Sequence, residues 1–481
     1  MSDPALLAPP GLHLPVVSHG EGVWLVDEAG RRYLDGSSGA VVTSLGHGNA
    51  EIAAALQQQA MTVAFAHRTQ FRNRPAEELA AALVDLAPPP LARAALLSSG
   101  SEANELAMKL AVRFWQEQGQ PRKHGIISRW TSYHGSTLGA LSATGHPARR
   151  RPFADLLHPF PRVSPPYCLR CPVGASPENC AEACLEDLEV AIQREGPERL
   201  AAFIAEPVVG AAAGVLVPPS GYHERVRKLC DQYELLWIAD EVMSGCGRTG
   251  RWLAVEHWDT VPDLVTLGKG LTGGYAPLSA VLCTSKVAAA LGSDELGAAA
   301  AHTYTNTPLP AAVGLAALEV MKRQDLVARA SALGVVLHEA LVSLSQEIEI
   351  IGDVRGLGLL QGVELVADRQ TLEPFDPKLR VTARLVEAAR HRGLLVYPAA
   401  LGINGQAGDA IVVAPPLIIS ETDIGELVTR LREALLDVSV DLNEARLPHG
   451  FLRGGGTTLG VSGEESSSAV PARGSKSREE E

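Results

Sequence analysis

The chain has 481 residues, 46% of them hydrophobic and 20% charged, a globular balance long enough for two or three domains. Its 42 Lys and Arg stand against 55 Asp and Glu, for a net charge of −13, and no long basic run argues for nucleic acid or an anionic membrane as partner. No uninterrupted apolar run reaches the roughly 20 residues of a bilayer span, and MSDPALLAPPGLHLP lacks the basic and apolar regions of a secretory signal, so the expected location is the cytoplasm.

Residues 15–36 alternate polar and apolar side chains around DEAG and predict short strands and turns. NAEIAAALQQQAMTVA and AEELAAALVDLA (residues 76–87) predict helices. From about residue 75, strand-length apolar runs alternate with helical text. RAALLSS is followed at once by the helix SEANELAMKLAVRFWQEQG. HGIISR, LAAFIAEPVVG, LLWIADEV, DLVTLG and LSAVLCTS come next, with the helical GYHERVRKLCDQYE among them. That alternation predicts an α/β fold with a mainly parallel sheet covered on both faces. A long helix with one break starts near residue 309 and leads into another α/β segment ending near 440. The last stretch is Gly, Ser and charge, a composition that predicts disorder. The expected organisation is an N-terminal part of a small domain at 1–60, a large domain at 61–310, the C-terminal part of the small domain at 311–445 and a tail at 446–481.

Four of the seven cysteines cluster in CLRCPVGASPENCAEAC, as Cys168, Cys171, Cys180 and Cys184. Four thiolates can close a zinc tetrahedron. The favoured reading is an insertion loop with free or locally paired thiols, and no metal is expected.

Several predicted strands end on a polar residue. LLWIAD ends on Asp240, followed by Glu241; LAAFIA runs into Glu206; DLVTLG delivers Lys269 into a glycine-rich turn. Singly, each has a bland explanation: carboxylates cap the next helix, and a loop lysine is usually solvated. Together they lie where a doubly wound sheet binds its ligand, beyond the carboxyl ends of its strands. At LLSSGSEANE a strand passes through Ser99, Gly100 and Ser101 directly into a helix, a junction suited to an anion. The bland alternative is a helix cap on Ser101. A phosphate pocket, a strand-end Asp and a desolvated Lys together suit pyridoxal phosphate: the amine condenses with the aldehyde, and the carboxylate pairs with the pyridinium nitrogen. Tyr133, in WTSYHGS, is an aromatic placed to stack on such a ring.

SSGSEANELAMKLA, SYHGST, FIAEPVVG, IADEVMSGCGRTGRW, PDLVTLGKGLTGGYAPLSA, AHTYTNTPLPAAVGLAALEV and GDVRGLGLLQGVEL occur in that order over about residues 16–440. In this combination the chain resembles the class III aminotransferases of the fold type I pyridoxal-phosphate enzymes. The resemblance implies that Lys269 bonds the cofactor and then shuttles a proton. It also implies that Asp240 holds the ring nitrogen, Val242 and Tyr133 cover the two ring faces with His134 beside Tyr133, Gly100 and Ser101 bind the phosphate, and Glu206 lies near the cofactor. Thr303 resembles the threonine that reaches the neighbouring subunit's phosphate, which implies a homodimer with sites at its interface. GLGLLQG (356–362) has the wrong spacing for a dinucleotide fingerprint.

Members that grip an α-carboxylate often carry Arg two residues before APP; this chain has Val412 there, and no Lys or Arg from Gly393 through Thr429. That departure favours an amine or ω-amino donor, and GLLVYPAALGINGQAGDAIVVAPPL resembles the amine:pyruvate branch. The implied reaction passes nitrogen from such a donor to a 2-keto acid such as pyruvate by a ping-pong route. The C-terminal region also resembles dialkylglycine decarboxylase, which has Trp where this chain has Tyr133 and keeps the arginine replaced by Val412. A decarboxylating transaminase or an aminomutase is therefore the alternative, with a non-catalytic cofactor-binding regulator behind both.

Overall fold

A computed structural model describes residues 14–176, 178–291, 302–400 and 408–446. Three sheets organise them. In the first, β1 (Val17–Glu21), β2 (Trp24–Asp27) and β3 (Arg32–Asp35) form an antiparallel meander, its turn closed by the Gly30 N–H on Asp27 O at 2.9 Å.

The second sheet has seven strands: β4 (Leu91–Leu97), β5 (Gly125–Arg129), β6 (Arg162–Val163), β7 (Leu200–Ala205), β8 (Leu236–Asp240), β9 (Leu264–Leu267) and β10 (Ser279–Thr284). Their spatial order is β4-β10-β9-β8-β7-β5-β6. β10 runs antiparallel to both neighbours, and every other described pair is parallel. β7, β8 and β9 are buried along their whole length, which is why they read as continuous apolar runs rather than alternating ones. The parallel strands point Asp240, Glu206 and Lys269 toward one edge of the sheet.

The third sheet, order β11-β12-β15-β14, contains β11 (Ile351–Leu357), β12 (Leu360–Leu365), β14 (Tyr397–Ala400) and β15 (Asp409–Val413). GLGLLQG is the β11–β12 hairpin, with no helix after it. β13 (Leu394–Leu395) crosses back to pair in parallel with β3, so the first sheet joins strands from both ends of the chain.

The helices follow their capping signals. Asn49 accepts from the Glu51 and Ile52 N–H groups and starts helix Ala50–Thr62; Asn73 accepts from Ala76 N–H and starts Arg74–Leu86. Helix Gly100–Glu117 lays Ala103, Leu106, Ala107, Leu110 and Phe114 on the seven-stranded sheet, and Trp115 Nε1–H donates to Ala201 O at 2.8 Å. The expected long helix breaks at Asp325 (φ 48°), giving Pro308–Arg323 and Leu326–Glu347. By length and composition alone Leu326–Glu347 could cross a bilayer, although polar residues interrupt its apolar text. Its buried residues Leu326, Ala330, Leu333, Leu337, Leu341 and Leu344 recur every three or four positions, the stripe of a core helix, and the helix packs on β11. The sheets lie in one compact unit ending at Ser439; helix Glu421–Arg446 closes the described chain, and the expected tail lies outside the described residues after Arg446.

Candidate active site

Beyond the carboxyl ends of β7, β8 and β9 lies a cavity of about 1060 Å³, reached by Glu206, Asp240 and Lys269. β8 ends on Asp240, which is 3% exposed and ringed by donors. Asn104 Nδ2 donates to Oδ2 at 2.7 Å and His134 Nδ1 lies 2.8 Å from the same oxygen. Val242 N–H donates to Oδ1 at 3.1 Å, and Thr266 Oγ1 lies 3.3 Å from it. Asn104 is fixed in turn, donating also to His134 O at 2.7 Å and accepting from Thr266 Oγ1 at 2.8 Å. These contacts fix the position of the buried carboxyl beside the cavity.

β9 stops at Leu267, and Gly268 turns the chain so that Lys269 opens a short 3₁₀ turn at φ 43°. A left-handed backbone at a non-glycine residue costs on the order of 1–3 kcal/mol and clusters at functional sites. The amine makes no hydrogen bond or ion pair to any described residue; the residue is half-buried and lines the cavity. Burial pulls its pKa down to about 8, against the raising pull of Asp240 and Glu206. Free amine is therefore present near neutrality, the form that attacks a carbonyl. Glu206 moves the other way: burial raises it to about 7, Asp240 adds to the rise, and His134 and Arg129 oppose it. Its Oε1 accepts from Tyr133 N–H at 3.4 Å, and Oε2 is buried with no partner.

The helix cap is Ser99, not Ser101. Ser99 Oγ accepts from Glu102 N–H at 3.3 Å, and Glu102 Oε2 accepts from the Ser98 and Ser99 N–H groups at 3.0 Å each. This capping box occupies the N–H groups on either side of Gly100 and Ser101. Ser101 Oγ accepts instead from Ser136 N–H at 3.1 Å. Gly100 and Ser101 line the cavity with their N–H groups in no described backbone hydrogen bond. Gly100 also needs its missing side chain: a Cβ there would lie 2.7 Å from Val242 Cγ1. Gly135, at φ 144°, lets the next turn approach, since its Cβ would meet Ser101 Oγ at 2.6 Å. Gly100→Ala is expected to push Val242 into the cavity, lowering cofactor retention at least tenfold on dialysis while costing about 1–3 kcal/mol of stability; a variant that keeps its cofactor like the parent would contradict this packing.

Tyr133, His134 and Val242 line the same cavity, whereas Thr303 is exposed and does not line the cavity of its own chain. Glu241 is structural: it accepts from Ala254 N–H, Val255 N–H and Ser244 Oγ–H, each at 2.9 Å, while burial raises it to about 7. Residue-by-residue reading passed over Asn104, Thr266, His146 and Arg149. Asn104 had a signal, a lone amide in the buried stripe of its helix; the other three had none. Cys168 and Cys180 stand with Sγ atoms 3.0 Å apart, and among the described residues no group of three donors is arranged to hold a metal.

The family model described as Aminotransferase class-III matches residues 8–435. The chain is a class III aminotransferase. Among its relatives, the aminotransferase YodT of Bacillus subtilis is 41% identical over 430 residues, covering 89% of this chain and 97% of YodT. A taurine–pyruvate aminotransferase of Bilophila wadsworthia is 36% identical, covering 87% and 91%. The solved (S)-enantioselective omega-transaminase of Thermomicrobium roseum superposes with a TM-score of 0.82 at 37% identity, covering 90% of this chain and 96% of that one. The fold is therefore that of the fold type I transaminases, and the aminotransferase depends on pyridoxal phosphate and on small amine and keto-acid substrates. The residues present fit that cofactor: an unpaired amine, a donor-ringed carboxylate, and a helix start whose close approach Gly100 keeps open.

Proposed function

We propose that this aminotransferase moves an amino group from an amine or ω-amino donor to a 2-keto acid such as pyruvate by a ping-pong route. When bound, pyridoxal phosphate supplies an aldehyde that takes up the amino group and a cationic ring that stores the electron pair released at the substrate carbon. Lys269 Nζ would hold the cofactor between turnovers and, once freed by the incoming amine, would move a proton to and from the substrate carbon. Asp240 would pair with the ring nitrogen, and Val242 and Tyr133 would cover the two ring faces. His134 orients Asp240 through Nδ1. The N–H groups of Gly100 and Ser101, with Ser101 Oγ, take the phosphate. Glu206, raised to about 7, holds a proton beside the ring without placing a full second negative charge next to Asp240. Thr303, exposed and not on the lining of its own chain's cavity, serves the phosphate of a second copy, in a homodimer.

Val412 carries the choice of donor. It is fully buried on β15, in one apolar cluster with Val209, Ala212 and Ala414, against which Tyr133 and Tyr397 pack. Val412 does not itself line the cavity, and this strand offers an α-carboxylate no guanidinium to bind it in bidentate fashion. The Bilophila relative, named for an ω-amino donor and pyruvate, supports the same direction. The test is a donor panel with pyruvate and 2-oxoglutarate as acceptors, read by product formation. Plain and ω-amino donors are expected to exceed α-amino acids other than the one each acceptor becomes; a clear preference for α-amino acids would overturn the reading, and release of carbon dioxide would replace it with the decarboxylase.

A further inference from the structure

Acid groups on the substrates still need a cation, since Val412 removes the expected one from β15. Two described arginines line the cavity, Arg149 and Arg380. Arg380 opens helix Val381–His391 on the wall that also carries Asp409, a carboxylate held by Thr382 N–H and Thr382 Oγ1, each at 2.7 Å. An incoming anion meets opposed charges on that wall.

Arg149 stands differently. It lies in the one-turn helix Pro147–Arg150, its guanidinium carbon 4.9 Å from the centroid of the Tyr133 ring. The residue is exposed, and among the described residues its side chain has no hydrogen bond and no carboxylate partner. The Tyr133 contact holds the guanidinium carbon over the ring without using up its N–H donors. A second group points the same way. His146, three residues earlier and also on the cavity wall, is 9% exposed, and its Nδ1 is buried without a partner. Burial, and then the charge of Arg149, lower its pKa, so it stays neutral and offers one N–H. A buried polar nitrogen without a partner costs about 1–3 kcal/mol, a cost that a bound acceptor atom removes.

We infer that Arg149 and His146 form an anion-binding corner that holds the carboxylate of the substrate, which makes ω-amino acids, rather than uncharged amines, the preferred donors. This rests on the transaminase reading above. Arg149 takes the carboxylate through its N–H fork and His146 adds a neutral donor. The acid group it takes is the one remote from the amine, the group that distinguishes an ω-amino acid from an uncharged amine.

The test compares 3-aminopropanoate with propylamine, two primary amines of equal chain length that differ in the carboxylate. In the parent holoenzyme, single-turnover bleaching of the yellow cofactor band is expected with both, and faster with 3-aminopropanoate. Arg149→Gln is expected to lower kcat/KM for 3-aminopropanoate roughly tenfold or more, the worth of a charge-assisted hydrogen bond, while propylamine stays within about twofold of the parent. His146→Ala is expected to lower it about threefold, the worth of a neutral hydrogen bond, and Arg149→Lys to restore part of the loss. Calorimetric binding of the unreactive 3-hydroxypropanoate reads the corner without turnover, and its affinity is expected to fall by the same factor as kcat/KM. Equal losses for both amines, or no loss for 3-aminopropanoate and unchanged binding of 3-hydroxypropanoate, would overturn the corner and leave the transaminase reading standing. Failure of the parent to bleach with any amine would overturn the transaminase reading itself, and the corner with it.

Discussion

Lys269→Ala is expected to lower transamination by three orders of magnitude or more, since both covalent capture of the cofactor and the proton transfer at the substrate carbon are lost together. Stability should change little, because the amine has no described bonding partner to strand. The purified variant should hold less cofactor and lack the yellow colour of the parent. Lys269→Arg keeps a cation in the cavity but is not nucleophilic, and should be as inactive. The depressed pKa adds a pH signature. Free amine at Lys269 increases with pH through about 8, so the rate at which cofactor-free protein captures added pyridoxal phosphate should climb between pH 7 and pH 9 and then level off. A lysine at its ordinary value of 10.5 would still be accelerating there. Stopped-flow absorbance separates the two. Substantial turnover by Lys269→Ala would mean that another group does this chemistry.

Asp240→Asn is expected to lower kcat by about 10²–10³, the usual scale for removing one preorganised electrostatic partner of the reacting system. The substitution nearly preserves volume, so the loss is one of charge: a neutral amide cannot hold a proton on the ring nitrogen. It also disturbs a buried network. Both Asn104 Nδ2 and His134 Nδ1 converge on Asp240 Oδ2, and an amide has only one oxygen with which to accept. A melting-temperature decrease corresponding to about 1–3 kcal/mol is expected beside the kinetic loss. Asp240→Glu keeps the charge but lengthens the side chain by one methylene, and should recover part of kcat if charge dominates. An Asp240→Asn enzyme with parental kcat would remove Asp240 from the mechanism.

Much of this candidate site is legible in the sequence because each of three cavity side chains is the last residue of, or the first polar residue after, a fully buried strand. Asp240, Glu206 and Lys269 all follow that rule, and a parallel sheet brings such strand ends to one edge. The helix start at Gly100 is legible as a junction, but its cap is not. Ser99 and Ser101 have the same chemistry one residue apart from Gly100, and only Glu102, three residues beyond Ser99, distinguishes them. The β11–β12 hairpin escapes a helix-containing reading because its glycine spacing is wrong, and the structure shows two antiparallel strands there. Helix Leu326–Glu347 shows the opposite failure. Its scattered polar residues hide a mean hydropathy that only a window average reveals. Arg149 and His146 are invisible from sequence, since ARRR reads as a solvated basic turn and nothing local reports that Tyr133, 16 positions earlier, lies beneath one guanidinium. Such long-range contacts depend on how β5 and the following loops fold back on the sheet.

The account depends on covalent attachment of the cofactor through one amine. Reduction of the yellow holoenzyme with borohydride, followed by proteolysis and peptide mass mapping, locates that bond directly. A reduced pyridoxyl group on Lys269, in the peptide containing TLGKGLTGG, is the predicted result; the same group on a different lysine, or a protein that carries none after saturation with pyridoxal phosphate, would contradict the account.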